Sequence, residues 1–171
     1  MRIVCVLLCF FSTFCFTNEH VRLIYDTDLG NGIDDALALS LIHELQDRGE
    51  VELLGMGISK ADEWAAVYTD AINTFYGLIE NEKKPEEYKS NRQVSDRKIG
   101  NKFVYPHDVR PETVLPTVTQ MYRKILGEKP GKSVVISVMG FTTNLAHLLE
   151  SKPDEFSELN GVDLVQKKLS Y

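Results

Sequence analysis

The sequence predicts an α/β protein built on an open, mostly parallel sheet with helices on both faces. Short apolar runs rich in β-branched residues alternate with segments whose apolar residues recur at helical spacing. The predicted strands hold few polar positions, as strands do in parallel sheets that are covered on both sides. Ligands of such folds bind at the carboxyl ends of the strands, so we expect a functional site there.

The first two strand and helix pairs follow each other closely. A β-rich run at residues 21–25 leads through an acidic turn into an apolar helix around residues 36–42, which Gly49 closes. Residues 51–58 form the second predicted strand. Apolar side chains then recur at helical spacing and predict a core-facing stripe: Trp64, Tyr68, Ala71, Ile72, Phe75 and Ile79.

A polar stretch interrupts this rhythm. Residues 80–105 contain no apolar run of four residues and are predicted to be a long loop or insertion, where a third strand was due. Helical spacing returns over residues 114–125, with Gly127 as the predicted stop.

The strongest predicted strand follows at residues 133–139. Thr142 or Thr143 is placed to cap a short helix, and the segment 162–169 is amphipathic.

The first 17 residues are predicted to be a cleaved secretory signal peptide. Met1-Arg2 provides one positive charge, and the run from Ile3 to Phe16 is almost wholly apolar. This run has the length of a signal-peptide hydrophobic region and is shorter than the roughly 20 residues of a membrane span. We therefore expect a secreted protein without a stable membrane anchor, with an uncleaved anchor as the alternative.

All three cysteines, Cys5, Cys9 and Cys15, lie inside this segment. The mature chain is therefore predicted to have no disulfide, and its fold must depend on its core. The net charge of −6 and the lack of a basic stripe argue against binding to nucleic acid, because that requires Lys and Arg to replace counterions.

The turn after the first strand is the clearest functional signal. Four carboxylates, Asp26, Asp28, Asp34 and Asp35, fall within ten residues. They repel one another unless a positive charge is present, and Ca²⁺ suits them because it takes carboxylate and carbonyl oxygens in a flexible shell. In the alternative interpretation, Asp34 caps the next helix, Asp35 favours its positive end and the other two are solvated.

Two other acidic motifs fit this turn less well. An EF-hand loop starting at Asp26 would need Glu at Leu37 and a helix, not a strand, before it. The nucleophile motif of haloacid-dehalogenase-like phosphatases matches Asp26 and Asp28 but has Gly30 in its last position. That motif also needs a downstream Lys on a suitable turn, for which the sequence offers no convincing candidate.

Three stretches, in order, resemble the inosine-uridine preferring nucleoside hydrolases. The N-terminal signature is similar to residues 26–30 (Asp-Thr-Asp-Leu-Gly) with residues 34–39 (Asp-Asp-Ala-Leu-Ala-Leu). Residues 70–77 (Asp-Ala-Ile-Asn-Thr-Phe-Tyr-Gly) resemble the second helix of a subgroup. Residues 139–146 (Met-Gly-Phe-Thr-Thr-Asn-Leu-Ala) resemble a strand-to-helix turn of the family.

The resemblance implies a role for each matching residue. Asp28 would bind Ca²⁺ and act as general base on the attacking water, and Asp35 would bind Ca²⁺ through both oxygens. Asp34 would hold ribose hydroxyls, and the backbone carbonyl of Met139 would be a further metal ligand. Asp26 would be a supporting carboxylate behind the site.

Four other residues have weaker functional claims. Asp62 follows the second strand and either contacts ribose or caps the helix ahead of Trp64. His43 and His147 lie on predicted helices and are interpreted as partly buried structural residues, whereas the loop residue His107 is a candidate to line the site.

The resulting hypothesis is a secreted, Ca²⁺-dependent hydrolase of the N-glycosidic bond of ribonucleosides, such as inosine or uridine. Residues 18–171 would form the N-terminal portion of the family's domain, truncated at its C-terminus, so this chain alone is expected to be a poor or inactive hydrolase. Homo-oligomers are possible. The alternative is a non-catalytic secreted protein that binds a nucleoside or Ca²⁺, and the third is the phosphatase.

Overall fold

A computed structural model describes residues 20–30, 32–76 and 94–170. The predicted signal peptide, Ile79 and residues 80–93 of the predicted insertion lie outside these ranges. Within them, no helix has both the length and the apolar character needed to cross a membrane.

The chain is an α/β protein with a parallel three-stranded sheet. Its strands are β1 (Val21–Thr27), β2 (Val51–Ile58), β3 (Lys98–Ile99), β4 (Lys102–Phe103) and β5 (Val134–Val138). Its helices are α1 (Asp34–Asp47), α2 (Ala65–Phe75), α3 (Val118–Glu128), α4 (Thr143–Glu150) and α5 (Gly161–Lys168). The three-stranded sheet has the order β2-β1-β5, and β3 pairs with β4 in a separate antiparallel hairpin.

The strand register aligns the carboxyl ends of the three parallel strands. Thr27 of β1 lies opposite Ile58 of β2, and Asp26 of β1 lies opposite Val138 of β5. The turns that follow these strands therefore begin side by side, with the acidic turn in the middle.

Alternating residues of β1 pack into two different cores. Leu23 and Tyr25 are buried with Leu39 of α1. Ile24 is buried in the other core, with Leu126 of α3 among its neighbours. Helices therefore cover both faces of the sheet, as the sequence predicts.

The first turn of α1 corrects the prediction that Asp34 caps the helix. The N-cap residue is Ile33, whose backbone is already helical and which makes no side-chain capping bond. Asp34 and Asp35 both lie in the first helical turn, where carboxylates interact favourably with the positive end of the helix dipole.

Helix α3 begins later than the apolar spacing predicts and extends past Gly127. Val114 is 96% exposed and precedes the helix, which Thr117 and Gln120 start with a reciprocal capping box. Gly127 is helical, and a Cβ there would lie 2.4 Å from the carbonyl oxygen of Phe156. The glycine at this position permits a close packing contact instead of ending the helix.

Three smaller predictions also fail. Thr142 is the N-cap residue of α4, but its side chain makes no capping bond. Phe75, predicted to face the core, is 76% exposed at the end of α2. His147, expected to be partly buried, is exposed in the last turn of α4.

The connection between α4 and α5 is organised by a buried arginine of α3. Arg123 donates to the Asp154 carboxylate at 2.6 Å, to Ser151 Oγ at 2.8 Å and to the carbonyls of Ser157 and Leu159 at 2.9 Å each. Its guanidinium holds the pKa of Asp154 below the usual value.

The end of α5 returns the chain to the sheet. Leu169 forms an isolated parallel bridge with Val134, and the Ser170 amide donates to the Val134 carbonyl at 2.8 Å. The backbone therefore begins to add to the sheet beside β5.

Candidate functional site

The candidate site lies at the carboxyl end of β1, where backbone bonds draw the neighbouring turns together. The Ser59 amide donates to the Thr27 carbonyl at 2.9 Å, and the Met139 amide donates to the Asp26 carbonyl at 2.8 Å. Residues that follow three different strands thus converge on the acidic turn.

Gly140 permits a still closer approach of the β5 turn. A Cβ at this position would lie 2.2 Å from Ser59 Oγ and 2.6 Å from the Asp28 amide nitrogen. Ser59 Oγ also accepts a hydrogen bond from the Phe141 amide at 2.9 Å. The backbone at Met139–Phe141, which includes the predicted carbonyl ligand, is therefore packed directly against the turn that contains Asp28.

Asp35 is buried and oriented by two residues of β1. Thr27 Oγ1 donates to Asp35 Oδ1 at 2.6 Å, and the Tyr25 hydroxyl donates to the Asp35 backbone carbonyl at 3.2 Å. Burial raises the pKa of Tyr25 to about 12. Neither Thr27 nor Tyr25 carries a motif that predicts a site role, although alternation along the strand places both on the face that meets α1.

Asp28 and Asp35 are brought together as the sequence predicts, with their carboxyl groups within hydrogen-bonding reach of each other. Burial raises the pKa of Asp35, and the negative charges of Asp28 and Asp34 raise it further. Two carboxyl groups this close repel each other when ionised, so a positive charge beside them stabilises the pair.

Asp26 is fully buried on the opposite side of the turn. Its carboxylate accepts a hydrogen bond from the Tyr122 hydroxyl and two from Asn144 Nδ2, at 3.0 Å and 3.3 Å. Burial raises the pKa of Asp26. These contacts link β1 to α3 and α4 across the interior of the protein.

The two predicted ribose ligands occupy different environments. Asp34 is exposed in the first turn of α1. Asp62 is fully buried, and its Oδ1 accepts a hydrogen bond from the Trp64 amide at 2.9 Å, just before α2 begins. Asp62 therefore supports the start of this helix, of which Trp64 is the N-cap residue.

Lys60, which the sequence analysis did not single out, lies within this acidic cluster. It follows β2 by two residues and is only 3% exposed. Burial lowers its pKa, and the charges of Asp62, Asp28 and Asp35 oppose that effect. A buried lysine among carboxylates is a signal that a single sequence does not reveal, because the burial depends on the fold.

The ring of His107 contacts the backbone of its own segment, residues 94–110. Its ring nitrogens face the carbonyls of Ser95, at 2.9 Å, and Val109, at 3.1 Å. The segment is anchored to α2 by Asp70, whose Oδ2 accepts hydrogen bonds from the Asp108 and Val109 amides at 2.6 Å and 2.8 Å. The predicted role of His107 in lining the site stays a prediction.

The donor set at the β1 end fits Ca²⁺ in its chemistry. Asp28 and Asp35 offer hard carboxylate oxygens, and the adjoining backbone at Met139 offers carbonyl oxygens. In the part of the chain that the structure describes, no group of three or more His, Cys, Asp or Glu side chains is arranged to hold a metal. Backbone, substrate or water oxygens would therefore have to complete the shell.

The fold and the site together define an α/β protein with an acidic site at the end of its central parallel strand. Comparisons with protein-family models, with curated proteins and with solved structures find no match to this chain.

Proposed function

We propose that this chain is a Ca²⁺-dependent N-ribohydrolase of the nucleoside hydrolase type, which cleaves ribonucleosides such as inosine or uridine. The observation that supports the proposal best is the contact between the Asp28 and Asp35 carboxyl groups at the carboxyl end of β1. Open α/β folds bind ligands there, and a divalent cation would offset the mutual repulsion of the two carboxylates.

The residues have distinct proposed tasks. Asp28, Asp35 and the Met139 carbonyl would hold Ca²⁺, which when bound lowers the pKa of water and so supplies a nucleophile near neutral pH. Asp28 would accept the proton of the attacking water. Asp34 and Asp62 would hold the ribose hydroxyls.

Carboxylates also suit the bond that breaks. Departure of the base leaves positive charge on the sugar, as in other glycoside hydrolyses, and nearby negative charge stabilises that transition state. Asp26 would act from behind the turn: its bonds to Tyr122 and Asn144 fix the β1 end on which Asp28 lies.

A non-catalytic binding protein is the second candidate. The buried ammonium of Lys60 favours it, because this lysine already supplies positive charge to the carboxylates. Such a protein would bind a nucleoside or Ca²⁺ without releasing base.

The phosphatase alternative has less support. Its nucleophile would be Asp26, which is 0% exposed and accepts hydrogen bonds from Tyr122 and Asn144. Lys60 follows a neighbouring strand, as such an enzyme requires, but an Asp26 carboxylate enclosed in the core cannot reach a substrate phosphate.

The test is release of free base from inosine and uridine by the purified chain, with Ca²⁺ and with a chelator. The hydrolase proposal predicts Ca²⁺-dependent release that Asp28→Asn abolishes and that Asp47→Asn, at the exposed far end of α1, leaves unchanged. Nucleoside binding without release would favour the second candidate. Release that persists in the chelator or in Asp28→Asn would contradict the proposed mechanism.

A further inference from the structure

Lys60 reaches the acidic cluster because of the register of β1 and β2. Thr27 and Ile58 are paired, and the next residue of the β2 turn, Ser59, bonds the Thr27 carbonyl. The backbone of Lys60, the next residue in this turn, therefore lies beside that of Asp28. The Asp62 amide donates a hydrogen bond to the Lys60 carbonyl at 3.0 Å. This bond closes a tight turn that keeps Asp62 close to Lys60.

The Lys60 side chain is enclosed at this position. It is 3% exposed, Asp62 is fully buried and Asp35 is 3% exposed. The charges of Asp62, Asp28 and Asp35 all act on the lysine. A buried charge is tolerated when it is paired, so the lysine and the carboxylates depend on each other in the absence of any other ion.

The geometry points to Lys60 as a built-in counter-ion of the acidic site, which competes with a divalent cation for Asp28 and Asp35. This inference rests on the proposed Ca²⁺ site and adds a residue that sets its affinity. With the ammonium in place, the carboxylates attract Ca²⁺ less strongly. Without it, their mutual repulsion is relieved only by a proton or by a metal ion.

One ammonium does not neutralise the whole cluster. Asp28, Asp35 and Asp62 together offer more negative charge than one lysine cancels, and Asp34 adds to it at the exposed rim. Ca²⁺ binding to the natural chain is therefore expected, with an affinity below that of the same site without the lysine.

The experiment compares the purified chain with Lys60→Met, which keeps an unbranched side chain one atom shorter and removes its charge. Ca²⁺ affinity is measured by calorimetry, and thermal unfolding is recorded in chelator and in Ca²⁺. Lys124→Met, the same change on the exposed surface of α3, is the matched control. We expect Lys60→Met to bind Ca²⁺ roughly tenfold more tightly or better, since a nearby unit charge opposes a divalent ion strongly at protein dielectric constants.

In chelator, Lys60→Met should unfold at a lower temperature than the natural chain. Ca²⁺ should raise its unfolding temperature by more than it raises that of the natural chain. Lys60→Gln, which retains a polar end, is measured beside it in case the methionine variant does not fold. Folding of either variant only in Ca²⁺ supports the inference. Failure of both to fold even with Ca²⁺ overturns it, because the lysine would then be needed for structure.

The outcomes separate this inference from the proposed function. Equal Ca²⁺ affinity in the natural chain and Lys60→Met overturns the counter-ion role and leaves the metal site standing. Binding to Lys60→Met alone supports the counter-ion role and contradicts a Ca²⁺-dependent activity of the natural chain. No binding to either protein overturns both.

Discussion

The hydroxyl of Tyr122, on α3, donates a hydrogen bond to the carboxylate of Asp26, on the central strand, across the interior of the protein. Tyr122 is 0% exposed and so is Asp26. The contact links α3, which packs on one face of the sheet, to β1, whose carboxyl end leads into the acidic turn. Burial raises the pKa of the Tyr122 hydroxyl well above its ordinary value, so it remains a donor at any physiological pH.

Replacing Tyr122 by Phe removes this donor and leaves a buried carboxylate with fewer partners. We expect the free energy of unfolding to fall by about 1–3 kcal/mol, the usual cost of an unsatisfied buried polar group. Urea denaturation measures it, with Tyr105→Phe, whose side chain is 40% exposed, as the control. Equal stability of the two variants would show that the Tyr122 bond contributes nothing.

Arg123→Lys tests the support of the connection between α4 and α5. Lysine keeps the charge but cannot reproduce the fork of bonds to Asp154, Ser151 and two carbonyls. We expect a loss of roughly 2 kcal/mol or more in the free energy of unfolding. Arg48→Lys, in an exposed ion pair with Glu44 on α1, should change little. Similar effects of the two substitutions would contradict this account.

His43 makes the stability of the fold depend on pH. It is buried, its Nε2 lies 2.9 Å from Asn73 Oδ1, and its ring stacks on Tyr76 with the centroids 4.7 Å apart. Burial lowers its pKa from 6.5 in the folded state. The unfolded chain therefore takes up a proton more readily, and the free energy of unfolding should decrease as pH falls below about 6.5.

Thermal unfolding between about pH 8 and pH 5 measures this dependence around the ordinary histidine pKa. His43→Gln should flatten the profile over this range, whereas His147→Gln, at an exposed position, should leave it as in the natural chain. An unchanged profile in His43→Gln would assign the pH dependence to other groups.

Gly140→Ala tests the close approach of the β5 turn to the acidic turn. The added methyl group would lie 2.2 Å from Ser59 Oγ and 2.6 Å from the Asp28 amide, so the turns must separate. We expect a stability loss of about 1–3 kcal/mol and weaker Ca²⁺ binding, because Asp28 moves away from Met139.

Gly49→Ala is the control for this change. It strains a positive φ of 72° but meets nothing within 4 Å, and it lies at the other end of α1. Its Ca²⁺ affinity should match the natural chain. If Gly140→Ala also has unaltered Ca²⁺ affinity, the β5 turn does not contribute to the metal site.

The parts of the fold that local pattern determines were predictable. The strand predicted at residues 51–58 matches β2, because a mostly apolar run of this length is typical of a buried parallel strand. The start of α3 was also predictable, because Thr117 and Gln120 have the spacing of a capping box. The apolar spacing instead placed the predicted start of the helix at Val114. Chain spacing alone cannot distinguish an exposed valine from a buried one.

The site was predictable only in part, for a similar reason. Asp28 and Asp35 belong to one short turn, so their proximity follows from local sequence. The burial of Lys60 among them, and the bonds from Tyr122 and Asn144 to Asp26, depend on residues 25 to 118 positions apart in the chain. Tertiary packing brings these partners together, and no local periodicity encodes it.

The central claim is that the Asp28 and Asp35 carboxylates hold a divalent cation at the end of β1. Calorimetric titration of Ca²⁺ into the purified chain, into Asp28→Asn and Asp35→Asn, and into the control Asp47→Asn tests it most directly. We predict saturable binding of a single Ca²⁺ to the natural chain and the control, and its loss in both site variants. Binding that survives in Asp28→Asn and Asp35→Asn, or that is absent from the natural chain, would contradict the claim.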